Sequence, residues 1–123
     1  MIQDDLLPCP ACGFLTLKDA YGSYVLCAVC GWEDDQLQLA NPACGGGANS
    51  ESLIEAQAAA LALYPMDLHA MKGVRRDFRW RPLDAAEIAS AQKERADEYW
   101  KNKGILELRD SYWMKGTSVR EAG

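Results

Sequence analysis

With 123 residues, 49% of them apolar, the chain is long enough for one ordinary hydrophobic core, and we expect one compact unit. Its net charge of −5 is unevenly spread: residues 1–71 carry nine acidic groups against one lysine, a net of −8, while residues 72–82 carry five basic groups against one acidic, a net of +4. This distribution argues against a protein that coats nucleic acid broadly, and it leaves an acidic half and a basic stripe as candidate docking patches.

The opening Met-Ile-Gln-Asp-Asp is acidic and lacks the basic start of a secretory signal. The longest apolar stretch, Ala58 to Tyr64, falls far short of the ~20 residues that span a bilayer. These features predict a soluble, cytoplasmic chain with no membrane partner. In a reducing compartment, five cysteines point to metal rather than disulfides.

The first element expected is a cysteine-bearing β-hairpin. Cys9-Pro-Ala-Cys12-Gly13 and Cys27-Ala-Val-Cys30-Gly31 flank β-prone runs at Phe14–Leu17 and Tyr24–Leu26, separated by turn formers. These two runs are expected to pair, with a cysteine step at each outer end. Two Cys-x-x-Cys steps separated by 14 residues supply four thiolates, a full tetrahedral shell for one Zn2+. Iron in a rubredoxin-like site is the alternative, because it shares that geometry. Gly13 and Gly31 can take positive φ and let backbone amides donate to the sulfurs. A thioredoxin-like step fits poorly, since neither pair opens an amphipathic helix. Four thiolates leave no open coordination position, so the metal is expected to be structural and to supply much of the folding energy of this region.

A long irregular connection is expected next, over Gly31 to Ser50, where Gly, Pro, Asn and Asp are dense. Trp32 there reads as a lid over the metal site or core. Glu33, Asp34 and Asp35 read as a solvated loop or helix cap, with cation or partner binding as the alternative. Cys44 is the odd thiol, and the sole histidine, His69, is a thin basis for activating it.

Two helices follow. Ser52 with Glu55 forms a capping box for a helix from Leu53 to Tyr64, with Leu53, Ala56, Gln57, Ala60, Leu61 and Tyr64 on its packing face. Asp84 with Glu87 forms another, for a helix from about Ala85 to Lys103 stopped by Gly104. Its stripe of Ala85, Ile88, Ala89, Ala96 and Tyr99 is thin. Ile105, Leu106, Leu108, Tyr112 and Trp113 are expected to dock as a last short element, with the final eight residues frayed. Between the helices, Lys72, Arg75, Arg76, Phe78, Arg79, Trp80 and Arg81 read as an amphipathic strand with Phe78 and Trp80 buried, or else as a contact surface for protein or nucleic acid.

The blocks Pro-Cys-Pro-Ala-Cys-Gly, Cys-Ala-Val-Cys-Gly-Trp-Glu-Asp-Asp and Gly-Gly-Ala-Asn-Ser-Glu-Ser-Leu-Ile-Glu-Ala-Gln, over about residues 8–58, together resemble the bacterial cysteine-rich CPCC family. The chain departs from that signature at Ala11, where a third cysteine would stand directly before Cys12; the four-ligand set is untouched. The resemblance implies an association with toxin immunity and assigns that role to no particular residue.

The sequence thus predicts an α+β protein: a small N-terminal zinc-knuckle β-hairpin, zinc-ribbon or rubredoxin-like, packed with two or three C-terminal helices. Residues 1–48 form the cysteine-rich module and 49–123 the helical region. The metal ligands are Cys9, Cys12, Cys27 and Cys30; candidate partner-binding residues are Trp32, Glu33, Asp34, Asp35, Arg75, Arg76, Arg79 and Trp80. The function expected is a non-enzymatic, zinc-stabilised protein-binding module, an immunity protein that binds a cognate toxin. Nucleic-acid binding through residues 72–82 is the second reading.

Overall fold

The computed structural model describes residues 6–18, 20–95 and 112–114. Among the described residues seven short elements follow in chain order: β1 (Leu7–Pro8), β2 (Leu15–Leu17), α1 (Gln36–Ala40), α2 (Leu53–Leu63), β3 (Ala70–Met71), β4 (Val74–Arg75) and α3 (Ala85–Glu94). The fold is mixed α/β, with an antiparallel cysteine-bearing hairpin at its N-terminal end, in keeping with the sequence.

The strand pairing differs from the expected one. The β2 run pairs backwards with β1, Leu7 opposite Leu17, so the first cysteine step forms the turn of its own hairpin. The Tyr24–Leu26 run turns instead on the second step, where Leu26 faces Glu33. Each step closes a tight turn of its own. That is the local preference of Cys-x-x-Cys-Gly, and it leaves no need for a hairpin between the steps.

The third hairpin, β3–β4, turns on Lys72 and Gly73, both at positive φ (53° and 80°), the two-residue geometry whose twist suits antiparallel strands. Phe14 bridges Arg76, and the Asp77 amide donates to the Gly13 carbonyl at 2.9 Å, so this hairpin lies along the first cysteine turn.

Both capping boxes form as expected, at Ser52/Glu55 and Asp84/Glu87. Helix α2 buries Leu53, Ala56, Gln57 and Ala60, with Leu61 and Tyr64 half-buried on the same face. In α3 the buried residues are Glu87 and Ala91, while Ala85 and Ala89 stay exposed. The continuation of this helix to Lys103, the Gly104 stop, the Ile105–Leu108 run and the frayed tail lie outside the described residues. Tyr112 and Trp113 are described, and both are buried, stacked edge to face with each other; Trp113 also meets Tyr21 in the same way.

Within the connection expected to be irregular, Asp35 caps the short helix α1 by accepting from the Leu37 and Gln38 amides. One hydrophobic cluster runs from Cys9 through Phe14, Leu39, Leu53 and Trp80 to Met114. Among the described residues no helix is long and apolar enough to cross a membrane.

Candidate metal centre

The two cysteine turns have the same backbone. Gly13 and Gly31 both sit at φ 84°, and each donates its amide to the carbonyl of the cysteine four residues earlier, at 2.7 and 2.9 Å. A side chain at that φ is strained, which explains glycine at both positions.

The turns meet face to face, and all four Sγ atoms lie within 4.8 Å of one another. Cys9 to Cys30 is 3.6 Å and Cys12 to Cys27 is 3.7 Å. Four sulfurs placed ~2.3 Å from a central ion at tetrahedral angles would be about 3.8 Å apart, so the cluster has the dimensions of a tetrathiolate shell. The separations are too long for a disulfide, whose sulfurs lie about 2.05 Å apart.

Cys9, Cys12 and Cys27 are buried and Cys30 is half-buried. So crowded a set resists full ionisation. Burial pushes the Cys9 thiol well up, and hydrogen bonding with Cys27 and Cys30 pushes Cys12 up. Hydrogen bonds from Cys12, Cys30 and Cys9 push Cys27 down. The Thr16 hydroxyl (3.1 Å) and the Val29 and Cys30 amides (both 3.4 Å) also donate to its Sγ. A dication at the centre would let all four deprotonate, so metal uptake must release protons.

The first turn is gripped from outside through its carbonyls. Trp80 Nε1 and Gln57 Nε2 both donate to Pro10 O at 2.9 Å, and the Tyr21 hydroxyl donates to Pro8 O at 2.7 Å. Arg76 Nε donates to Cys12 O at 2.8 Å; its Nη1 reaches Pro65 O (2.7 Å) and Leu68 O (3.1 Å), and its Nη2 reaches Tyr64 O (2.8 Å). Its guanidinium lies 4.5 Å from the centre of the Phe14 ring and 5.5 Å from that of Trp80.

These positions correct part of the expected contact surface. Trp32 and Trp80 are buried, 2% and 1% exposed, and belong to the core. Arg76 is buried against carbonyls. Asp34 is fully buried, its Oδ2 accepting from the Gly22 and Ser23 amides and the Ser23 hydroxyl; Asp35 is buried as the α1 cap and also holds the Ala48 amide. Each of these five side chains is largely taken up by packing or internal hydrogen bonds. Glu33 is half-buried, while Arg75 and Arg79 are exposed. Phe78, expected inside, is 78% exposed, because an Asx turn at Asp77, whose Oδ1 accepts from the Arg79 amide at 2.9 Å, turns it outward.

Sequence reasoning passed over Gln38, Asn41 and Asn49, three buried amides that organise the glycine-rich connection. Gln38 Nε2 donates to the carbonyls of Cys44, Asn49 and Glu51, and Asn49 exchanges hydrogen bonds with the Glu33 backbone. Asn41 spans to the Ala91 carbonyl of α3 at 3.0 Å. The only sequence signal was a polar loop too long to be structureless in a small domain.

Cys44 sits at the N-terminal end of α2, near Glu51 through Gln38. His69 lies beyond the C-terminal end, where its carbonyl accepts from the Arg76 amide. An 11-residue helix, ~16 Å long, separates the two regions.

A mixed α/β fold carrying two facing cysteine turns defines a protein whose four clustered cysteines could hold a metal ion. The chain belongs to the cysteine-rich CPCC family, whose model matches residues 7–78, a span that contains both turns, α1, α2 and the β3–β4 hairpin. No curated protein matches the chain.

Proposed function

We propose that this chain is a non-enzymatic protein-binding module held by one structural zinc ion, and that it serves in the bacterial cytoplasm as an immunity protein that binds and neutralises a cognate toxin. The observation that carries the structural part is the four-sulfur cluster with all members within 4.8 Å, three of them buried. Such a shell uses every coordination position, so its metal stabilises rather than catalyses. Zinc is the ion favoured, with iron chemically equivalent in geometry.

The distance between Cys44 and His69 along α2 supports the non-enzymatic reading. Against the nucleic-acid alternative stands the internal use of part of the basic stripe: Arg76 is buried, and Arg81 donates to Glu87 at 2.8 Å. What remains for a partner is a ridge of Arg75, Phe78 and Arg79 beside a concavity of about 360 Å³ that Leu6 and Leu15 also line. Aromatic and arginine side chains presented this way suit a protein hot spot. The acidic half, meanwhile, suits a basic toxin by electrostatic steering.

Elemental analysis of protein purified without added ion is expected to give one zinc per chain; a fully folded, metal-free sample would refute the structural part. Co-expression with the product of a neighbouring toxic open reading frame is expected to restore growth, and Phe78→Ala to weaken that rescue. No rescue and no co-purified complex would end the immunity reading. Binding to duplex DNA that falls with salt and disappears in Arg75→Glu would promote the alternative.

A further inference from the structure

Arg76 is 6% exposed, yet among the described residues no carboxylate lies within ion-pair distance of its guanidinium. The neighbouring Asp77 is turned to Arg79, with Nε at 3.2 Å and Nη2 at 3.0 Å. Four carbonyls and two aromatic faces solvate the cation, but dipoles and ring quadrupoles supply only partial negative charge. A buried guanidinium without a full counter-charge is costly. Among the described residues, the source of negative charge that remains beside it is the cysteine cluster, to which it is joined through the Cys12 carbonyl. A divalent ion held by four thiolates keeps a net charge of −2.

We propose that Arg76 is the internal counter-ion of the metal–thiolate centre and couples metal binding to the chain segment beyond α2. The same side chain that holds the Cys12 carbonyl gathers the Tyr64, Pro65 and Leu68 carbonyls where α2 ends and the β3–β4 hairpin begins. Occupation of the site therefore supplies the counter-charge of the cation that fixes this turn. The coupling extends to the Phe78 ridge, which follows Arg76 by two residues. Electrostatics and scaffolding are separable here, because lysine keeps the charge and loses the fork of donors.

The proposal rests on the site holding a metal, and the test distinguishes the two. Zinc affinity is measured by chelator competition for wild type, Arg76→Met, Arg76→Lys, Cys30→His and the Cys30→His/Arg76→Met double variant. Arg76→Met is expected to weaken zinc binding about 10- to 100-fold, the range seen when a group supporting a ligand is lost, with Arg76→Lys much closer to wild type. Replacing Cys30 by neutral histidine takes one charge from the cluster, so the Arg76→Met penalty should shrink in that background. Equal penalties in both backgrounds, or equal losses for Met and Lys, would overturn the counter-ion role.

Should Arg76→Met fail to fold, exchange of the Arg76 Nε–H, followed by NMR in zinc-loaded wild type and Cys30→His, decides instead. Faster exchange in Cys30→His is expected, and an unchanged rate overturns the proposal. No zinc taken up by wild type sinks the metal reading itself; zinc bound equally by every variant sinks only the role of Arg76.

Discussion

The two cysteine turns share a five-residue pattern, the same glycine φ of 84° and the same closing hydrogen bonds, yet they occupy opposite settings. Around the first, Pro10 and Ala11 are buried, and its carbonyls are taken by Trp80, Gln57 and Arg76. Around the second, Ala28 and Gly31 are exposed, and among the described residues the only outside grip on a carbonyl is the Tyr64 hydroxyl on Val29 O at 3.2 Å. Local sequence sets the conformation of each turn, and the rest of the chain sets its role. The first joins the metal site to the core, and the second closes the site from the solvent side.

The largest effects should come from removing one ligand on each side. Cys12→Ser places a poor ligand where the protein encloses the sulfur, so zinc content and near-ultraviolet dichroism are both expected to be lost. Cys30→Ser acts at the half-buried ligand, where solvent can complete the shell; at least tenfold weaker zinc binding with retained fold is expected. Equal behaviour of the two variants would break the asymmetry.

The glycines give a cleaner contrast, since the backbone strain is common to both. A Cβ on Gly13 would fall 2.6 Å from Trp80 Cδ2, whereas a Cβ on Gly31 meets nothing within 4 Å. Gly31→Ala should cost only the left-handed penalty, about 1–2 kcal/mol. Gly13→Ala should add about 1–3 kcal/mol of overpacking, because the indole is wedged between the turn and its own hydrogen bond to Pro10. Denaturant unfolding of the zinc-loaded proteins measures both.

Much of this asymmetry was beyond the sequence, for a physical reason. Cys-x-x-Cys-Gly and the capping boxes Ser52/Glu55 and Asp84/Glu87 act within a few residues, and each was legible as such. Which strands pair depends on where the turns close, and the Phe14 and Tyr24 runs carry no signal that distinguishes pairing across a cysteine step from pairing between steps. Alternation in residues 75–81 suggested one face of cations and one of aromatics. The Asp77 turn breaks that alternation, putting Phe78 out and Arg76 in. Neither the burial of Arg76 nor the network of Gln38, Asn41 and Asn49 has a local signature, because their partners lie up to 64 residues away.

Position 11 offers a smaller test. Ala11 is fully buried where the family pattern implied by its name has a further cysteine, and Ala28, its counterpart in the second turn, is exposed. Ala11→Cys should change stability by less than about 1.5 kcal/mol in either direction, and Ala28→Cys by less than about 0.5 kcal/mol. Both should leave the zinc content at that of wild type. A second zinc, or a displaced one, in Ala11→Cys would show that the buried turn can rearrange its ligand set.

The smallest expected effects concern one aspartate beside each turn, and they differ in sign. The Asp77 amide donates to Gly13 O of the first turn, and Asp34 exchanges backbone hydrogen bonds with Tyr24 and Val25 on the strand entering the second. Burial raises the Asp77 carboxyl, but the hydrogen bonds and charge of Arg79 outweigh it and hold the group below its ordinary value. Burial raises Asp34 above its ordinary value despite the three donors on Oδ2, and its Oδ1 has no hydrogen-bond partner. A depressed folded pKa contributes stability that is present above the unfolded value of about 3.9 and lost as pH falls through the folded one. A raised folded pKa does the reverse: from about 3.9 upward the folded state binds more protons, so stability falls as pH rises towards the folded value and the penalty persists at neutral pH. Asp77→Asn should therefore destabilise at pH 7 by about 0.5–1 kcal/mol, allowing for the half-exposed Arg79, with the difference vanishing in acid. Asp34→Asn keeps an acceptor for the three donors and removes the buried charge, so it should match or exceed wild-type stability at pH 7 and lose its advantage as pH falls towards 4. Urea unfolding of zinc-loaded protein at neutral pH, then at the lowest pH that retains the metal, gives both slopes; slopes of the same sign would mean that Asp34, like Asp77, is held as a stabilised anion.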